Sequence, residues 1–145
     1  STPLVHNGWR YGIDAEWMDV SYSAYVIEYH GIRVYFGGDT AYDDKIFVET
    51  GDKFKNIDLA FLPIAPIHPR EYSKARHTDP IEALQIFKDL NAKVMTPIHY
   101  DTFRESYDTL GEATHLLKNE MLKKNLTEED VVILKIGEQK IYKKN

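Results

Sequence analysis

The run Ile32-Arg33-Val34-Tyr35-Phe36-Gly37-Gly38-Asp39-Thr40 constrains the fold more than any other stretch of the chain. Its β-branched and aromatic residues favour a buried strand, and two successive glycines let the backbone turn sharply at its end. The carboxylate of Asp39 is thereby delivered to the carboxyl end of a strand, the edge on which open α/β sheets build their sites. Such an element needs neighbouring strands, helices to cover them, and partners for the acid.

The surrounding sequence supplies these in order. Ser21 to Tyr29 alternates as a strand, and His30-Gly31 forms a two-residue turn into Ile32–Phe36, which makes a hairpin. From about Ala41 to Phe54, Tyr42, Ile46 and Phe47 recur at helical spacing, with Gly51 weakening the last turn. Ile57 to Ile64 is a short apolar run that reads as a buried strand. A loop of about fourteen residues, Ala65 to Thr78, follows, and loops that long are usually functional. Asp79 then offers an N-cap, Pro80 takes the first helical position, and Glu82 sits where a capping-box acid reaches back. Ala83, Leu84, Ile86, Phe87 and Leu90 complete that helix's apolar stripe. Lys93 to Ile98 is another buried strand, and His99 follows it at once. A third helix is expected over about Glu105 to Lys124, and a terminal hairpin from Val131–Ile136 and Gln139–Tyr142. Residues 1–20 have no clear period but concentrate His6, Trp9, Arg10, Tyr11 and Trp17, as a lid or site wall would.

Strand, helix, strand, helix, strand makes two βαβ units, whose right-handed crossovers set three strands parallel. Asp39, the loop with His68 and His77, and His99 then share one edge. Taken singly, each has a plainer reading: Asp39 as a helix cap, His99 as a hydrogen-bonded turn residue, His77 as a loop residue. His30 and His115 read as solvated. The convergence indicates a site and leaves its chemistry open. With no cysteine in the chain, metal ligation falls to His, Asp and Glu.

At 145 residues and 43% hydrophobic, the chain suits a single domain over residues 1–145. The net charge of −5, with acids and bases interspersed, gives no charge argument for nucleic acid. No apolar run reaches the length of a membrane span, and no signal peptide is evident, so the cytoplasm is the expected compartment.

Pro3-Leu4-Val5-His6, Trp9-Arg10, Tyr35-Phe36-Gly37-Gly38-Asp39-Thr40, Leu62-Pro63-Ile64, Pro69-Arg70, His77-Thr78-Asp79-Pro80 with Glu82-Ala83, and Pro97-Ile98-His99-Tyr100-Asp101-Thr102-Phe103 occur in this order. Together they resemble the C-terminal half of the metallo-β-lactamase superfamily, in particular the branch containing N-acyl-phosphatidylethanolamine phospholipase D. The resemblance implies an α/β fold, the C-terminal half of an αββα sandwich, with one mixed sheet and helices mainly on one face. It implies two divalent cations, zinc ahead of manganese or iron, with His6 on one, Asp39 bridging both, and His99 on the other. His77 would stabilise substrate or assist proton transfer, and Arg10 and Arg70 would be phosphate or wall residues.

The implied activity is phospholipase D-like, a metal-bound hydroxide attacking a small-molecule or lipid phosphodiester or a similar ester. The family's His-x-His-x-Asp-His motif is not in this sequence. The cations would therefore be incompletely liganded and this chain inactive alone. The apolar sheet face would need a missing N-terminal half or a second copy of the chain to cover it. The competing reading is a catalytically inert module that associates through that face.

Overall fold

In the computed structural model, which describes residues 1–6, 22–104 and 106–143, five strands form one mixed sheet. They are β1 (Thr2–Leu4), β2 (Tyr22–Tyr29), β3 (Ile32–Phe36), β4 (Leu59–Pro63) and β5 (Val94–Ile98), and they pair in sequence order. The described helices are α1 (Ile46–Lys53), α2 (Arg70–Ser73), α3 (Pro80–Asp89) and α4 (Glu112–Lys123). β1, β2 and β3 pair antiparallel, whereas β3, β4 and β5 pair parallel, as crossovers through α1 and α3 require. The turn between β2 and β3 has positive φ at both His30 and Gly31, the geometry whose twist matches a two-residue hairpin.

The pleat sorts the sheet residues by face. Ala60 and Leu62 of β4 and Met95 of β5 are fully buried among α1, α3 and α4, with Phe47, Ile86, Leu90 and Leu117 in the same core. The opposite face carries Tyr25, Ile27 and Phe36, which stay 55%, 54% and 44% exposed, with Val34 and Phe61 in register beside them. The described helices thus cover one side of the sheet, and a contiguous apolar surface remains on the other.

Local chemistry explains where the helices start. Asp79 accepts a hydrogen bond from the Glu82 amide at 2.8 Å, so α3 begins with a capped turn and Pro80 in its first position. The expected return bond of Glu82 is replaced by an ion pair with Arg70. α1 begins at Ile46 rather than near Ala41, because Asp43 accepts from the Ile46 and Lys45 amides, each at 2.9 Å. Those backbone bonds hold the Asp43 carboxyl below its ordinary pKa. Asp39 is therefore not needed as a cap.

Three expectations are corrected. Thr2–Leu4, within the segment read as loop, is a strand beside β2. The third helix starts at Glu112, not near Glu105; Leu110, inside the expected span, is 72% exposed in the preceding loop. The terminal hairpin does not form: after an isolated parallel bridge between Met95 and Val131, residues 132–143 make no strand. Val131 is drawn to the edge of β5, where the Met95 amide donates to Asp130 and the Val132 amide to Met95. Pairing with a core strand there outcompetes a hairpin facing water. Trp9, Arg10, Tyr11 and Trp17 lie outside the described residues.

Gly51 marks the closest approach of α1 to the end of α3. A Cβ there would stand 2.5 Å from the Asp89 carbonyl oxygen and 3.0 Å from the Leu90 backbone. Helix propensity alone favours Ala over Gly by about 1 kcal/mol, but forcing a methyl against backbone costs about 1–3 kcal/mol and requires the helices to separate. Gly51→Ala is expected to lower unfolding stability by about 1–2 kcal/mol in urea titration; a stabilised variant would show that the two helices part freely.

Candidate metal centre

Asp39 is carried to the sheet edge by a turn that only glycine makes easily. Gly38 has φ +64, and Gly37 donates to the Phe61 carbonyl at 2.9 Å, bringing the chain hard against β4. Thr40, fully buried, donates to the Ala41 carbonyl, and the Ala41 amide donates to the Val5 carbonyl at 2.7 Å. That bridge extends β1 past Asp39 and sets His6 beside it. Thr78, also fully buried, donates to the Pro63 carbonyl at 2.7 Å and so fastens the residue after His77 to the end of β4. His99 follows β5 directly, with φ +59, a conformation that costs a non-glycine residue energy and aims its ring back across the edge.

Three imidazoles consequently meet one carboxylate. His6 Nε2 and His99 Nε2 each lie 3.6 Å from Asp39 Oδ2, and His77 Nδ1 lies 2.7 Å from Oδ1. The side chains of His6, His77 and Asp39 are about one-fifth to one-quarter exposed, and that of His99 is one-third exposed, so the group is accessible from solvent. Ligand-capable atoms of His6, Asp39 and His77 all fall within 4.8 Å of one another, while His99 meets Asp39 without joining that tighter group.

Hydrogen bonds behind the rings decide what faces the centre. His6 Nδ1 contacts the Arg76 carbonyl at 2.9 Å and His99 Nδ1 the Ala65 carbonyl at 3.0 Å. A carbonyl can only accept, so Nδ1 carries the proton in both rings. In the neutral imidazole Nε2 is then a lone pair directed at the carboxylate. Lone pairs and an anion crowded together repel unless a cation lies among them. The donor set therefore fits a divalent metal, and nitrogen with carboxylate oxygen suits zinc, iron or manganese. His77 is placed differently: its short contact to Oδ1 is the bond of an imidazole N–H to a carboxylate, which fixes the plane of Asp39.

Arg70 does not contact this carboxylate. Its guanidinium pairs with Asp79 at 3.1 Å and with Glu82, and it donates to the His77 carbonyl at 3.0 Å. It thus joins the histidine loop to the start of α3 and is engaged by two acids. Arg10 lies outside the described residues. The carbonyls of Arg76 and Ala65, which orient two of the rings, belong to the main chain and left no signal in the sequence.

The family model described as the beta-lactamase superfamily domain matches residues 1–100. Similar curated proteins include the mitochondrial N-acyl-phosphatidylethanolamine-hydrolyzing phospholipase D of Saccharomyces cerevisiae, 33% identical over 105 residues, 71% of this chain and 22% of that protein. Another is a metal-dependent hydrolase of Enterococcus faecalis, 36% identical over 83 residues, 56% of this chain and 32% of that protein. The chain thus spans well under half the length of these curated relatives. Among solved structures, the isothiocyanate hydrolase from Delia radicum gut bacteria aligns with a TM-score of 0.65 over 94% of this chain and 52% of its own, at 18% identity, a likeness of fold. Because the matched residues include all five strands and the four side chains of the centre, the chain belongs to the beta-lactamase superfamily.

Proposed function

We propose that the chain provides part of the active centre of a metal-dependent hydrolase acting on a phosphodiester or a similar ester. The observation that carries this reading is the pair of histidines whose Nδ1 atoms are tied to carbonyls while both Nε2 atoms face one carboxylate. Divalent cations, when bound, acidify water and neutralise charge on the oxygens of the ester. The chain's own residues supply position: His6 and His99 each present a nitrogen lone pair to Asp39 Oδ2, and His77 holds Oδ1. Arg70 holds the backbone of His77, so the imidazole approaches from a fixed loop. The phospholipid in the name of the Saccharomyces cerevisiae relative supports a lipid phosphodiester as the first substrate class to test.

The uncovered sheet face bearing Tyr25, Ile27 and Phe36 is read as the seat of a second half of the sandwich, encoded upstream or contributed by another copy of the chain. That half would also complete the ligand set. The test is hydrolysis of bis(p-nitrophenyl) phosphate by the protein at its full encoded length, stripped with chelator and reconstituted with zinc or manganese. Activity is expected to vanish on stripping and return with metal. Chelator-insensitive hydrolysis, or none of this or any carboxylic ester after reconstitution, would overturn the reading.

A further inference from the structure

The cavity beside His99 has a volume of about 280 Å³ and a mixed wall: Pro66, Tyr100, Phe103 and Leu110 give it apolar surface, and Arg104 gives it charge. A second, wider cavity carries His77 on its wall, and Arg104 lines that one as well. Arg104 therefore lines both of the cavities that border two of the three histidines, His99 and His77. Arg33 is engaged by Glu28 and Arg70 by Asp79 and Glu82. Among the described residues, no carboxylate or carbonyl pairs with Arg104.

Among the described residues, the two acids that line the first cavity are already engaged. Asp108 accepts from the Ile67 and His68 amides, each at 2.7 Å, and Asp101 accepts from the Gly111 amide at 2.8 Å. The Asp108 bonds join the loop after β5 to the loop after β4, and the Asp101 bond closes the loop after β5 on itself, so these carboxylates are spent on backbone and, among the described residues, none neutralises the guanidinium. A planar fork of donors facing a cavity is suited to a phosphate or carboxylate oxygen pair. Phe103 and Leu110 are 75% and 72% exposed, apolar surface beside that charge. The volume lies at the lower edge of the range for small-molecule sites, which favours an aryl or short-chain group.

We propose that Arg104 is a specificity-determining residue that selects substrates carrying a negative charge next to the scissile bond, with Phe103 and Leu110 receiving a compact apolar substituent. This assignment rests on the hydrolase reading for its catalytic consequence, but its binding consequence stands independently.

The binding test uses diphenyl phosphate and dimethyl phosphate as probes, titrated by calorimetry into the full-length encoded protein with metal removed by chelator. Loss of a charge-assisted hydrogen bond is expected to weaken diphenyl phosphate by about tenfold in Arg104→Gln, with partial recovery in Arg104→Lys. Phe103→Ala should weaken diphenyl phosphate and leave dimethyl phosphate unchanged. In the metal-loaded protein, Arg104→Gln should lower kcat/KM for bis(p-nitrophenyl) phosphate by about tenfold, mostly through KM, with neutral p-nitrophenyl acetate altered less than about twofold. Unchanged diphenyl phosphate affinity in Arg104→Gln, or equal loss on anionic and neutral substrates, would overturn the assignment while leaving the hydrolase reading intact. Arg104-dependent binding in a protein that hydrolyses nothing would do the reverse. Circular dichroism and zinc titration of each variant separate these outcomes from misfolding or a damaged centre.

Discussion

Replacing Asp39 with Ala is expected to lower zinc affinity by more than about 100-fold in calorimetric titration of the full-length encoded protein, and to abolish metal-dependent phosphodiester hydrolysis. Groups that merely orient a ligand already cost about 10–100-fold when removed, so a carboxylate that meets all three imidazoles should cost more. Asp39→Asn discriminates charge from shape. Its side-chain oxygen can still accept the bond from His77 Nδ1, but the negative charge beside the two Nε2 atoms is gone. Asn is therefore expected to preserve thermal stability and lose metal affinity nearly as far as Ala. Native-like affinity in either variant would remove Asp39 from the centre.

The second large effect lies at the opposite end of the sheet. Asp58, fully buried, accepts from the Arg33 amide and from Lys93 Nζ, each at 2.9 Å. Its own amide donates to the Arg33 carbonyl, and the Lys93 amide donates to the Ile57 carbonyl. One carboxylate thus ties together the starts of β3, β4 and β5, where register is set. Breaking a buried pair by removing one partner costs about 3–5 kcal/mol; because the Lys93 side chain is half exposed and can regain water, about 3 kcal/mol is expected for Asp58→Ala. That is a large share of the roughly 5–15 kcal/mol that holds a domain folded. The hydrogen bond to Asp58 raises the Lys93 pKa. Its contribution is therefore fully present below the ordinary lysine value and lost only as pH rises through the raised one. Urea denaturation at neutral pH checks the substitution, and a loss below about 1 kcal/mol would mean that the backbone bonds alone set the register.

The parallel core was legible because its signals are local and agree with one another. Ile32–Phe36, the Gly37-Gly38 turn and the Asp79-Pro80 start each combine a period with a stop or cap, and the strands and helix appear within a residue or two of the expected places. The edges were not legible. Thr2–Leu4 is too short to show alternation, and it becomes a strand only because β2 offers it an open edge. Val131–Ile136 has strand composition but finds a better partner in β5 than in its own continuation. The convergence of His6, His77 and His99 on Asp39 could be anticipated from topology and motif. The engagement of Arg70 with Asp79 and Glu82 could not, since it depends on the path of a loop rather than on residue type.

The contacts around Asp39 also bear on how the chain is held together. His6 precedes β2 and His99 follows β5, so anything that joins both to Asp39 closes a loop of about 90 residues, and closing a long loop removes much freedom from the unfolded chain. In a chain without cysteine, a cation held at this centre would take the place of a covalent staple, one that is opened by chelation and closed again without any change in redox state.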